Sequence, residues 1–386
     1  MIRMPANVDS PHISRIHTFD LLRGYFLIVI LLNHLSYYPN GLDWLTGRGN
    51  LYVSSAEGFF LISGIVLGIV RGQKLIAKPF SLAAKLLLKR SVQLYVTSFV
   101  LVILFTLIGW LMIDNPGIKV GVINPGTPLL ELIWQTATFQ YLYGWADFLR
   151  LYAMFLAAAP LALWMLRRGW WHIVLALSAG IWLLFPGEYS WHEGFMLMPI
   201  SWQFVFFSGF VIGYHWPWLN TQWSRLRPRW RTTIGVSLLS ATVITAIISA
   251  LLVFGYRIDG ALGQQLAGWH QGLEFSYFDK SRLPIPRLLL GAVWFWGLFW
   301  LVRRYEGWFI RRLGWLLTPF GVNSLYVYTI QAFIVFFLHA FVLRSIPPSE
   351  SPGGSAWLLH LSLSSIAIMI VWLMVRHKIL FRIIPR

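Results

Sequence analysis

Uncharged apolar runs of about 16 to 24 residues recur along the whole of this 386-residue chain. At about 1.5 Å per helical residue, each approaches the roughly 30 Å hydrocarbon core of a bilayer. A soluble fold cannot bury so many. Composition agrees, since 57% of the residues are hydrophobic, 22 are Trp and only 12% are charged, too few for a hydrated globular surface. The expectation is an all-α polytopic membrane protein in which residues 1–386 form a single integral membrane domain.

The windows place about ten transmembrane helices near 19–38, 52–70, 90–113, 148–166, 170–185, 194–214, 232–255, 288–303, 315–341 and 357–375. In a soluble chain a net charge of +17 would suggest nucleic acid; here the location of the charges decides. With the N-terminus inside, Arg48, Lys119, Arg150, Arg257, Lys280, Arg282, Arg287 and Arg344 fall outside, and the rest of the 31 Lys and Arg fall inside. Of the 14 acidic residues, Asp9, Asp20 and Glu306 alone are inner. Both termini are therefore expected in the cytoplasm, with 1–18 a cytoplasmic segment and 256–287 a long periplasmic loop. The basic residues are scattered among short loops, so no nucleic-acid partner is expected. Segment 129–142 carries Glu131, Gln135 and Gln140 within an apolar stretch and is expected to be re-entrant or interfacial. The first apolar stretch is interrupted by Arg23 and His34 and lacks a cleavage pattern, so the first helix should be retained.

The chain has no cysteine, which removes disulfides, thiolate nucleophiles and thiolate metal sites. No metal site is expected either, because no two histidines stand at i, i+3 or i, i+4. Chemistry must come from histidine, carboxylates and cations inside the membrane. Arg23 and His34, 11 residues apart in the first span, share one helix face and lie about 16 Å apart along the axis. A face bearing both cannot point at lipid, so it marks an aqueous cavity, a partner charge or a reaction centre. An Arg23–Asp20 interfacial anchor with a structural His34 is the plainer alternative. Glu57 enters the second span about one turn from the outer end, as His34 does in its own, so a carboxylate could orient the imidazole as a general base. Gly64 and Gly68 have the spacing of tightly packed membrane helices.

At the inner ends, Lys85, Lys89 and Arg90 cluster with Arg71 and Lys74, suited either to phosphates or simply to positive-inside topology. Asn33, Gln203, Asn323 and Ser324 are polar groups within spans that either line a passage or bond helices together. Asp147 opens the fourth span on the outer side, where it could bind sugar hydroxyls or act as a helix N-terminal acid. Trp182, Trp191 and Trp202 suit sugar stacking or an interfacial belt.

The arginine, ten residues and histidine of the first span, followed by Phe59-Phe60-Leu61-Ile62-Ser63-Gly64, resemble the membrane acyltransferase-3 superfamily, and within it the OpgC-type proteins. Further strings of the resemblance are Phe19-Asp20-Leu21-Leu22-Arg23-Gly24, Asn33-His34, Ser55-Ala56-Glu57, Asp147 to Tyr152, Trp202 to Gly209 and Gly321 to Tyr326. Two positions depart from the pattern: Arg150 stands in place of a proline and Gln331 in place of a late histidine. The resemblance implies a multi-pass protein of the bacterial inner membrane. It implies an O-acyltransferase moving a succinyl or acetyl group from cytoplasmic acyl-CoA to hydroxyls of a periplasmic glucan or related polysaccharide. The catalytic residues would be His34, Glu57 and Arg23, with donor contacts from Arg23, Lys89 and Arg90 and acceptor contacts from Asn33, Asp147, Gln203, Asn323 and Ser324. Acyl-CoA is then a substrate, and no permanently bound cofactor is expected. A transporter without acyl-transfer chemistry is the rival reading, although the two halves of the chain show no repeat.

Overall fold

The computed structural model describes residues 15–115, 117–118, 122–342, 354–382 and 384. Its order is α1 (His17–Leu35), α2 (Asp43–Thr46), α3 (Ser55–Leu67), α4 (Phe80–Leu111), α5 (Leu129–Ala137), α6 (Asp147–Arg167), α7 (Trp171–Leu183), α8 (Trp191–Tyr214) and α9 (Trp216–Arg225). Then come α10 (Pro228–Val253), α11 (Ala261–Tyr277), α12 (Ile285–Arg304), α13 (Glu306–Val322), α14 (Ser324–Phe341) and α15 (Gly354–Arg376). No strand occurs among the described residues. Nine helices there are long and apolar enough to cross a membrane. Prolines set several starts, with Pro79 preceding α4 and Pro228 opening α10, positions where the missing N–H costs nothing.

Three expected elements differ. The 170–185 window yields α7, whose 13 residues rise only about 20 Å. It packs along the second half of α8, with Trp171 against His215 at one end and Ser178 bonded to Gln203 near the other, where Trp182 stacks on Phe204 and its Nε1 donates to Arg282 O. The 315–341 window is not one span, because the helix breaks at Asn323 behind Pro319. Points along α13 all touch one end of the bundle: Glu306 binds Thr18, Trp315 packs on Trp372 in the last turns of α15, and Gly321 abuts Asp20. Carrying exposed Arg311 and Arg312, α13 therefore lies across that end, and α14 does the crossing. The loop 256–287 contains the mostly exposed helix α11. Segment 129–142 forms the nine-residue α5, too short to span.

Contacts at this same end tie the chain together. Phe19 packs on Trp216 and Phe299, Arg167 donates to Leu75 O and Lys78 O, and the Tyr326 hydroxyl donates to Ile379 O beyond α15. The start of α1 and the end of α15 thus share one face. The basic clusters at 71–90, 167–168, 225–231, 303–312 and 376–382 gather there as well.

Close backbone packing joins α3 to α8 in parallel. A Cβ on Gly64 would lie 2.1 Å from Phe206 O, and one on Gly213 would lie 2.0 Å from Ile65 O. Paired small-residue ridges let the two backbones touch without any side chain between them. Gly213→Val should therefore cost about 1–3 kcal/mol by overpacking, read as a lower thermal midpoint of the purified protein. Gly180→Ala, which meets nothing within 4 Å, serves as the control. An unchanged midpoint for Gly213→Val would show that the interface can open without penalty.

Candidate functional site

Most of α1 is buried, yet Arg23 near its start and Asn33 and His34 near its end keep accessible surface. In the middle of a packed bundle, that surface belongs to internal space and not to lipid. The two polar stations mark two half-sites on one helix.

At the basic end, the Arg23 guanidinium lies within electrostatic range of Tyr152 on α6 and of Asp20 and Arg15. Asp20 itself pairs with Arg15 at 2.6 Å, so the anticipated Asp20–Arg23 partnership gives way to a pair formed with the residue preceding the helix. Arg90 on α4 comes within range of Tyr152, Arg71 and Arg23. Arg23 and Arg90 thus both approach Tyr152, with Arg71 in range of Arg90. Lys89, expected beside Arg90, turns outward and is exposed, because consecutive helical residues diverge by about 100°.

At the opposite end, α1 stops at Ser36 in left-handed backbone and the chain folds back. His34 faces Trp145, ring centroids 6.4 Å apart. Trp145 has φ 59°, a strained value for a bulky residue, and Tyr328 on α14 donates to its carbonyl at 2.8 Å. His339 packs edge-on against Trp145 at 5.1 Å and bonds Leu35 O through Nε2. Tyr37 stacks on His360, whose Nδ1 contacts Pro39 O. The Asn33 side chain accepts from the Tyr38 hydroxyl at 2.7 Å. Burial pushes the Tyr37 and Tyr38 hydroxyls up to about 12, so both remain donors at neutral pH. The result is a basin-like cluster of aromatic rings and imidazoles around the end of α1, with His34 beside Trp145.

The anticipated His34–Glu57 pair is not formed. One Glu57 oxygen is held by Arg287, whose Nε lies 2.7 Å away, and the other accepts from the Ser54 amide and hydroxyl at the start of α3. Both partners of this ion pair are buried. Glu57 was reserved by the capping position it occupies, since Ser54 and Glu57 form a capping box. Arg287, assigned only to the outer side by the sequence, is the partner that reading missed.

Other expected acceptor contacts serve the helix framework. Gln203 is buried and exchanges hydrogen bonds with Ser178 across α7 and α8. Asn323 donates to Pro319 O at the break before α14, and Ser324 opens that helix. Asp147 begins α6, but its side chain lies outside the described residues. Trp202 donates to Lys280 O and Trp182 to Arg282 O, so both anchor the stretch between α11 and α12, while the Trp191 side chain is not among those described. Arg150, the departure from the family pattern, is buried and donates to Phe195 O, linking α6 to α8. A cavity of about 380 Å³ beside it is lined by Thr138, Phe139, Gln140, Arg150, Met154, Met196 and Pro199, and by none of Arg23, His34 and Glu57. Among the described residues no cluster of three or more His, Asp or Glu could hold a metal.

In comparison with known proteins, a family model described as OpgC protein matches residues 15–382. No curated protein and no solved structure matches.

Proposed function

We propose, from the premise that this chain belongs to the OpgC protein family, that it is a membrane O-acyltransferase of the acyltransferase-3 type. Family membership itself gives the chain a role in glucan modification and the character of a transferase. The finer reading is that a succinyl or acetyl group passes from cytoplasmic acyl-CoA to a hydroxyl of a periplasmic glucan. The observation that carries it is the placement of Arg23 and His34 on one face of α1, about 16 Å apart. One end opens on converging arginines and the other on an aromatic basin.

The positive-inside rule puts the basic end in the cytoplasm, hence both termini there and the His34 basin on the periplasmic side of an inner membrane. Arg23, Arg71 and Arg90 supply cations for the donor's phosphates. In the basin, His34 accepts the proton of the sugar hydroxyl as its oxygen attacks the thioester carbonyl. The tetrahedral oxyanion then collapses, expelling the CoA thiolate, which takes up the proton held by His34 and so restores the neutral imidazole. Aromatic rings and the partly accessible Tyr38 and Asn33 groups would hold the sugar. Glu57, with Arg287, fixes the start of α3 beside the basin.

The donor half is tested by a pair of neighbouring variants. Arg90→Ala should raise KM for acyl-CoA about tenfold or more, the worth of a charge-assisted hydrogen bond, while outward-facing Lys89→Ala stays within about twofold, as expected for an exposed charge. Equal effects from both would reduce the cluster to general basic charge and remove the converging arginines from donor binding.

A further inference from the structure

Gln331 is 1% exposed on α14, and among the described residues neither its Oε1 nor its Nε2 has a hydrogen-bond partner. A buried carboxamide with both functions unmet costs about 1–3 kcal/mol for each group. Nothing in the fold repays that cost, because Gln331 caps no helix and bridges no pair.

Its height is fixed by the helices around it. α14 runs parallel to α1: it starts just beyond Gly321 of α13, which abuts Asp20 at the basic end, and near its other end His339 bonds Leu35 O. Gln331 therefore lies at a level between Arg23 and His34. One turn away on α14, Tyr328 packs on Phe148 of α6 and reaches Trp145 beside His34. The carboxamide thus sits at a level between the two half-sites, one turn from the tyrosine that reaches Trp145.

We propose that Gln331 recognises the arm of the acyl donor, with Nε2 donating to an amide carbonyl of that arm and Oε1 accepting from an amide N–H. This rests on the acyl-CoA reading above. An acyl-CoA whose phosphates bind at Arg23 and Arg90 must thread its pantetheine chain past this level to present the thioester at His34. That chain is otherwise aliphatic and carries two secondary amides, which are themselves expensive to bury unpaired. A carboxamide offers one donor and one acceptor, the complement of what those amides need. A cation would misplace charge there, and an aliphatic residue would leave the amides unmet.

The test uses the purified full-length protein with two probes, CoA and adenosine 3′,5′-bisphosphate, which lacks the arm. Gln331→Leu should weaken CoA binding about 10- to 100-fold, two hydrogen bonds' worth, and leave bisphosphate binding unchanged. Without ligand its thermal midpoint should equal or exceed that of the native protein, because an unmet amide has been removed. Gln331→Met, close in volume, should behave alike. Native-like CoA affinity in both variants would overturn the proposal, as would parallel loss of both probes or a lowered ligand-free midpoint. If the native protein binds neither probe, the acyl-CoA reading fails first and this one with it. If the native protein binds both and the variants match it, only the role of Gln331 falls.

Discussion

His34→Ala is expected to lower acyl transfer by about a thousandfold, the usual contribution of a positioned general base, in protein that still purifies as a folded species. The position argues for this. His34 closes the last turn of α1, faces Trp145 in a strained backbone, and stands at the far end of the helix face that begins with Arg23. Turnover of the purified enzyme with acyl-CoA and glucan reads the effect. His339→Ala is the informative comparison, because His339 bonds Leu35 O and shapes the wall of the same basin. Its loss should weaken transfer far less than loss of His34. Near-native turnover in His34→Ala would take the histidine out of the chemistry.

The second large effect is structural. Arg287→Leu should destabilise the protein by about 3–5 kcal/mol, because it leaves a buried carboxylate without its counter-charge. Arg287 and Glu57 are 4% and 7% exposed, and the Arg287 Nη2 to Glu57 Oε1 distance is 2.5 Å. The double change Glu57→Gln with Arg287→Leu should recover most of the loss, since a neutral amide can still accept from Ser54 at the start of α3. Thermal midpoints of the two single variants and the double variant read the coupling. Simple additivity would mean that the pair does not hold α3 to α12.

The spanning helices were readable because hydrocarbon imposes a length and an apolar composition that no other environment demands, and the windows follow it from α1 to α15. The 315–341 window misled because α13 and α14 are both apolar enough to read as continuous. The break depends on Pro319 and Asn323, and the flat course of α13 depends on contacts with Thr18, Asp20 and Trp372. Arg23 and His34 stood out because ionisable groups in a span need a reason, whereas Arg90 was one of a basic cluster that topology alone explained. Spacing also suggested the packing glycines Gly64 and Gly68, which meet α8 backbone to backbone. Partnerships were another matter. Glu57 and Arg287 lie 230 residues apart, and a helix-end carboxylate has the same spacing whether it faces His34 or caps its own helix. The basin's Trp145, Tyr328, His339 and His360 come from separate segments, and only the fold brings them to His34.

The central claim is that this protein places an acyl ester on a periplasmic glucan through His34. Mass spectrometry of periplasmic glucans from cells lacking the protein, complemented with the native form or with His34→Ala, tests it directly. The account predicts that an ester mass increment, succinyl or acetyl, disappears on deletion, returns with the native form and stays absent with the His34 variant. Glucans that keep the same substituents in all three backgrounds would contradict it.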